Sequence, residues 1–314
     1  MPNTPEHWAA LSASAQRIDT ISSKRLLKDN ARNQGLRHSL AGCHFDFTRQ
    51  RVDGQILNEL HELAQRMNLS AKRDAMFSGD KINTSENRGV LHSALRDGAP
   101  RAPSQYRQAV AQTKQRLFNA VDDIRSGNWR GFTNKAIKDV VHIGIGGSHL
   151  GPELVVKALA HLPGSANAPK LHFVANIDAN DISTALVGLN PETTLFIVVS
   201  KSFGTLETQI NAATARSWFL ERTCNPQAIG QHFIGVTTNL EAAAQFGLNE
   251  HNIFPLWDWV GGRFSLWSAV GLPIMLQIGT TAFDQLLAGA KQADEHFVNA
   301  PAEQNIPLLS ALLA

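Results

Sequence analysis

Val140-Val141-His142-Ile143-Gly144-Ile145-Gly146-Gly147-Ser148-His149-Leu150-Gly151-Pro152 is the stretch on which the fold turns. The apolar run Val140–Ile145 reads as a strand, and glycines interrupt it. Glycine lets a backbone turn sharply and approach a ligand closely. Pro152 suits a first helical turn, where its missing N–H costs nothing. The unit is strand, tight turn, helix. Exposed N–H groups and a helix start together attract an anion. Gly144 and Gly146 fit the opening of the dinucleotide fingerprint, but His149 stands at its third glycine position. No P-loop lysine follows either. Alone, the turn is either a tight connection or a phosphate cradle.

Further short apolar runs follow at Leu171–Val174, Leu195–Val199 and Phe233–Val236. Helical patterns lie between them, at Pro152–Leu159, Ile182–Val187, Leu206–Phe219 and Leu240–Phe246. Strands that alternate with helices imply βαβ units and an α/β class, a parallel sheet with helices on both faces. In such sheets ligands sit beyond the C-terminal strand ends, near a topological switch point. Upstream, Tyr106, Val110, Leu117, Phe118, Val121 and Ile124 share one face of a helix that Gly127 should end. Residues 1 to about 100 read as helical and polar, with Val52, Ile56, Leu57, Leu60 and Leu63 at helical spacing. Ala99-Pro100-Arg101-Ala102-Pro103-Ser104 is a breaker. The expected division is 1–103 as a helical part of a larger domain, 104–280 as the α/β domain, and 281–314 as the start of a C-terminal part.

The loop after the third strand, Val198-Val199-Ser200-Lys201-Ser202-Phe203-Gly204-Thr205-Leu206-Glu207-Thr208, is the second candidate. Ser200, Ser202 and Thr205 bring three hydroxyls to a helix start, and Lys201 adds a positive charge. A phosphate removed from water needs about that many donors. Helix capping would account for one hydroxyl well and three poorly. Two such loops after two strands point to a small phosphorylated ligand.

The rest of the composition narrows the classes. The chain has 314 residues, 43% hydrophobic and 18% charged, which suits a globular protein with a large core. Its formal net charge is +2, from 29 basic and 27 acidic side chains, so no electrostatic case for nucleic acid or an anionic membrane exists. Cys43 and Cys224 are the two cysteines, too few and too far apart for a zinc site or a disulfide framework. The twelve histidines show no metal-ligand spacing, and His142 and His92 read as core or surface residues. Glu207 and Glu221 read as helix-surface carboxylates. A cytoplasmic home fits best, with no signal peptide or membrane span expected.

Asp258-Trp259-Val260-Gly261-Gly262-Arg263-Phe264-Ser265-Leu266-Trp267-Ser268-Ala269-Val270-Gly271 is the third candidate. Two glycines before an arginine allow a tight bend that aims the guanidinium inward. Trp257, Trp259 and Trp267 could wall it. The residues alone leave two readings open, a ligand-binding arginine or one paired with a carboxylate such as Asp258.

At this segment the chain resembles the glucose-6-phosphate isomerase family. Asp258–Gly271 matches the family's arginine signature throughout. Gly144–Pro152 resembles its Gly-rich loop, with His149 where aspartate is usual. Ser200–Thr208 resembles its phosphate loop, with Ser202 for a usual threonine and departures at Gly204 and Leu206. Gly79-Asp80-Lys81-Ile82-Asn83, Glu86-Asn87-Arg88 and Val90-Leu91-His92 resemble a further family stretch. The resemblance implies a sugar-isomerase domain of flavodoxin-like order flanked by an incomplete mixed or helical domain. It implies interconversion of glucose 6-phosphate and fructose 6-phosphate through an enediolate, without metal or organic cofactor, in a homodimer. By carry-over, Arg263 stabilises the enediolate, Gly147 and Ser148 line the sugar, and Ser200, Ser202 and Thr205 hold the phosphate, with Lys201 in the substrate-binding set as a positive charge nearby. The family's glutamate base, ring-opening histidine and lysine come later in its order than Ala314. The last segment, Asn305–Ala314, reads as a helix capped by Asn305, apolar nearly all round, with its covering layer expected to be absent.

Overall fold

The structure, a computed structural model, describes residues 5–97 and 100–314. Ala99 of the expected breaker lies outside them. The chain divides into two compact units. One comprises Met1–Gly89, Asp97–Arg101 and Ala288–Ala314, and the other Val90–Arg96 with Ala102–Leu287. The α/β unit therefore takes in Val90–Arg96 and runs seven residues past 280.

In the α/β unit the elements are α1 (Ser104–Ser126), β1 (Asp139–Ile143), α2 (Leu150–Ala158), β2 (Lys170–Val174), α3 (Ala179–Leu186), β3 (Thr194–Val199), α4 (Leu206–Thr223), β4 (Phe233–Thr237), α5 (Leu240–Phe246), β5 (Ile253–Pro255) and α6 (Leu272–Ile278). The five strands are parallel, in the order β2-β1-β3-β4-β5. That is the flavodoxin-like order, with its switch point between β1 and β3. Ile143 sits opposite both Val174 and Val198, so the loops after β1 and β3 leave one edge of the sheet side by side.

Strand side chains alternate between two cores, because successive residues of a strand point to opposite faces. Val140, Leu195, Ile197, Val199, Ile234 and Val236 pack with Leu117, Val121 and Ile124 of α1, Val156 of α2 and Met275 of α6. Val141, Ile143, Phe196, Val198 and Phe233 pack on the other face with Ile182 of α3, Phe219 of α4 and Ala243 of α5. Near-continuous apolar strands with no polar alternation are the sequence mark of a sheet buried on both faces. Gly127 ends α1 at φ 77°, as the helix reading expects. The three-residue β5 has no counterpart in the sequence reading. Ile253-Phe254-Pro255 is too short for a periodic signal and ends in a proline, which an edge strand tolerates.

Among its described residues, the other unit departs from the helical expectation at a hairpin. Arg37–Leu40 and Cys43–Asp46 form an antiparallel hairpin, with Arg37 opposite Asp46. Ala41 and Gly42 make the two-residue turn at φ 52° and 77°. Positive φ at both positions is the hairpin geometry that matches strand twist, and an alanine there hides the signal that asparagine would give. Helices Pro5–Asp19 and Gly54–Arg66 contribute Ile18 and Ile56 to a small core with Leu26, Leu36 and Val52. The apolar end of the chain belongs to this unit and corrects the expectation of a bare helix. Asn305 caps Ile306–Leu312 by accepting from the Leu308 N–H at 3.1 Å. Ile306 and Leu309 are buried, and Leu313 packs against the Ile18 core. The cover comes from residues far away in sequence, which periodicity cannot show.

Candidate functional site

The loop after β1 is braced from inside the sheet. His142 is fully buried, and its Nε2 lies 2.7 Å from the Ser148 carbonyl. A carbonyl only accepts, so Nε2 carries the proton and donates. Burial holds the imidazole neutral, with its pKa lowered from 6.5 to about 4. Gly146, at φ 59°, makes the turn that only glycine adopts without strain. His149 does not point to a ligand in this arrangement. Its Nε2 meets Glu153 Oε2 at 3.1 Å within the first turns of α2, and Glu153 also takes Lys157 at 2.8 Å.

The loop after β3 keeps its hydroxyls out of helix capping. Thr205 is the N-cap residue of α4, yet its side chain makes no cap bond. It accepts instead from Ser200 Oγ at 3.2 Å. Ser202 Oγ accepts from the Gly204 N–H at 3.2 Å. Phe203, at φ 53°, bends the loop and buries its ring beside Phe246. The first turn of α4 thus has no capping side chain, and three hydroxyls lie in the loop just before it. An uncapped helix start of this kind is chemically able to hold an anion. Lys201 Nζ, expected as a positive charge near the phosphate, donates to the carbonyls of Asp258 at 3.0 Å and Val260 at 2.8 Å.

The arginine segment completes the arrangement. Gly262–Trp267 is a short 3-10 helix, fixed by Ser265 Oγ donating to the Gly262 carbonyl at 2.6 Å. Gly261 N–H donates to His92 Nε2 at 2.8 Å, so that His92 nitrogen is unprotonated. Arg263 is exposed, and its guanidinium lies 4.7 Å over the Phe264 ring. No carboxylate pairs with it among the described residues, which disfavours the ion-pair reading with Asp258. The expected tryptophan wall is corrected. Trp257 and Trp259 stack on each other at 5.0 Å, Trp259 is buried against Tyr106, and Trp267 lies under Arg96. The ring beside Arg263 is Phe264.

Backbone contact joins the loops. A Cβ on Gly147 would lie 2.2 Å from the Gly262 carbonyl oxygen and 2.7 Å from the Arg263 nitrogen. A Cβ on Gly144 would lie 3.3 Å from the Val199 carbonyl, one residue before Ser200. The structure thus brings Gly147 and Ser148 to the Arg263 segment, and Lys201 ties the Ser200–Thr205 loop to the same segment. His92 and Phe264 escaped the reading as site residues; the Val90-Leu91-His92 stretch was the available signal. Among the described residues no cluster of three or more His, Cys, Asp or Glu is placed to hold a metal, and no helix is long and apolar enough to cross a membrane.

A family model described as phosphoglucose isomerase matches residues 46–314. The chain belongs to the phosphoglucose isomerase family. It is 46% identical to a glucose-6-phosphate isomerase of Pseudoalteromonas translucida over 314 residues, covering 98% of this chain and 57% of the relative. It is 47% identical to the enzyme of Shewanella oneidensis, covering 98% of this chain and 56% of the relative. The chain therefore spans a little over half of the length of the curated phosphoglucose isomerases it matches. A crystal structure of a glucose-6-phosphate isomerase from Chlamydia trachomatis superimposes with a TM-score of 0.80 at 29% identity, over 98% of this chain and 59% of that one. The three loops lie within residues 46–314, the span that the family model matches.

Proposed function

We propose that the three loops bind the phosphate and open chain of glucose 6-phosphate and fructose 6-phosphate, and that the whole protein interconverts them through an enediolate. The observation that carries this reading is the start of α4, where three hydroxyls lie in the loop before the helix and none caps it. Ser200, Ser202 and Thr205 would donate to the phosphate oxygens. Gly147 and Ser148 would line the sugar. Arg263, a permanent cation beside a fixed backbone turn, would stabilise the oxygen that becomes negative as the proton leaves carbon. A neighbouring carboxylate would move that proton between C1 and C2. By family resemblance that glutamate, the ring-opening histidine and a lysine belong to segments beyond these 314 residues in the family's order. The same resemblance supports a cytosolic homodimer that acts without metal or organic cofactor.

A second reading is a sugar-phosphate-binding module without turnover, favoured for the 314 residues by themselves by the short span against the relatives. Calorimetric titration separates a phosphate site from a structural loop. Fructose 6-phosphate should bind and fructose should not. Replacing Ser202 and Thr205 with alanine together should weaken fructose 6-phosphate by about 1–3 kcal/mol, the worth of lost hydrogen bonds to a charged group. Equal losses for both sugars would reduce the loop to a structural turn.

A further inference from the structure

Lys201 stands in the middle of the candidate phosphate loop, where it is expected as a positive charge near the phosphate. Its ammonium is directed elsewhere. Nζ donates to the carbonyls of Asp258 at 3.0 Å and Val260 at 2.8 Å. Both carbonyls lie just upstream of Gly261-Gly262-Arg263. The backbone of Lys201 is held as firmly as its tip. Its own carbonyl accepts from the Thr238 N–H at 2.9 Å, the Thr238 hydroxyl at 2.6 Å and the Thr237 hydroxyl at 3.1 Å. Base and tip are both anchored, one on the end of β4 and the other on the arginine segment. The four-carbon stem between them is a strut, because charge-assisted bonds to two carbonyls fix the ammonium's direction.

We infer that Lys201 is a positioning residue for Arg263 and not a ligand of the phosphate. The inference rests on the reading of these loops as a sugar-phosphate site. A phosphate seated on Ser202 and Thr205 fixes the loop that carries Lys201. The strut transmits that position to the carbonyls of Asp258 and Val260, and through them to the turn that presents Arg263. Occupancy of the phosphate subsite thereby sets where the guanidinium stands. The strut serves the chemistry at the sugar end of the site, although it starts at the phosphate end.

The test uses the 314-residue chain and Lys201→Met, which keeps the length of the stem and removes its donors. Hydrogen exchange is read first, without ligand. The amides of Val260 and Phe264, bonded to the Trp257 and Gly261 carbonyls, should exchange at least tenfold faster, while the interior of α4 stays unchanged. Fructose 6-phosphate affinity should change less than threefold. Labelling of Arg263 by phenylglyoxal, read by mass spectrometry, should be slowed by fructose 6-phosphate in the wild type and no longer in the variant. Lys201→Arg, which restores donors, should recover the slowing in part; a merely structural lysine would show no such recovery. Unchanged exchange at Val260 and Phe264 overturns the inference, with or without ligand. So does a loss of affinity of tenfold or more with Arg263 still protected, which would make Lys201 a phosphate ligand. If the wild type binds no sugar phosphate while exchange responds as stated, the strut stands and the proposed function falls. Should Lys201→Met fail to fold, Lys201→Gln keeps a polar tip and allows the same comparison.

Discussion

At the scale of the residue, Arg263 and His142 show how environment assigns roles. Arg263 is exposed, lies over Phe264 and has no carboxylate partner among the described residues. A planar, permanently charged fork suits a planar, developing enediolate. The expected outcome is selective. On the proposed reading, Arg263→Lys should weaken 5-phosphoarabinonate, which carries a carboxylate in place of the proposed enediolate, roughly tenfold more than fructose 6-phosphate, because the lost fork matters most to the group that resembles the transition state. Equal weakening of both ligands in calorimetry would leave Arg263 a general anchor. His142 makes a different prediction, about stability. Its folded pKa of about 4 lies below the ordinary 6.5. Above pH 6.5 the imidazole is neutral in both states and costs nothing. As the pH falls from 6.5 towards 4, the unfolded chain takes up the proton and the folded chain does not, so stability is lost across that window. At about 1.4 kcal/mol per pH unit, the loss from this group amounts to roughly 3 kcal/mol. His232, buried and also lowered by burial, acts in the same direction. Urea unfolding at pH 7, 5.5 and 4.5 checks this: His142→Asn should show a distinctly flatter decline than the wild type, and matching declines would refute it.

At the scale of the element, the informative parts are the turns. Gly146 and Gly147 are neighbours with different reasons to be glycine. Gly146 has open space around it but a φ of 59°, so Gly146→Ala should cost only about 1–2 kcal/mol of backbone strain. At Gly147 an added Cβ meets the Gly262–Arg263 backbone, which cannot rotate aside as a side chain can. Gly147→Ala should push the loop after β1 away from the arginine segment. It should cost about 1–3 kcal/mol as an overpacked contact and largely abolish fructose 6-phosphate binding. Melting curves and titrations on the two variants test the contrast. A Gly147→Ala protein that binds normally would show that the close approach has no bearing on the site. The elements themselves were mostly legible. Leu240–Phe246 falls where its pattern placed it, and the four expected strands differ by one or two residues at their ends. The hairpin at Arg37–Asp46 and the short β5 were not legible, since one depends on an unusual alanine turn and the other is three residues long.

At the scale of the whole molecule, the prediction concerns turnover. Binding a phosphate and stabilising charge do not replace a positioned base, and each general acid or base group contributes about 10²–10⁴-fold. On the proposed reading, in which the proton-moving glutamate belongs to a later segment of the family's order, these 314 residues made alone should bind fructose 6-phosphate without isomerising it in a coupled assay. Family-like turnover would overturn this and direct attention to the carboxylates present. The apolar segment from Ile306 to Leu313 gives no reason to expect aggregation, because Ile306 and Leu309 are buried within their own unit.

By itself the sequence determined the α/β class, the alternation of strands and helices, and the three loops proposed to carry chemistry. Those properties are local: hydrophobic period, glycine placement and clustered hydroxyls act over a few residues and are written in order along the chain. Only the tertiary structure decided what each loop does to the others. That Gly147 touches Gly262, that Lys201 reaches the Asp258 and Val260 carbonyls, that His142 holds Ser148 from within the sheet, and that Leu313 finds cover beside Ile18 depend on strand order and close packing. Such contacts join residues six to nearly three hundred positions apart. Periodicity records which face of its own element a residue occupies and carries no information about what will be folded against that face.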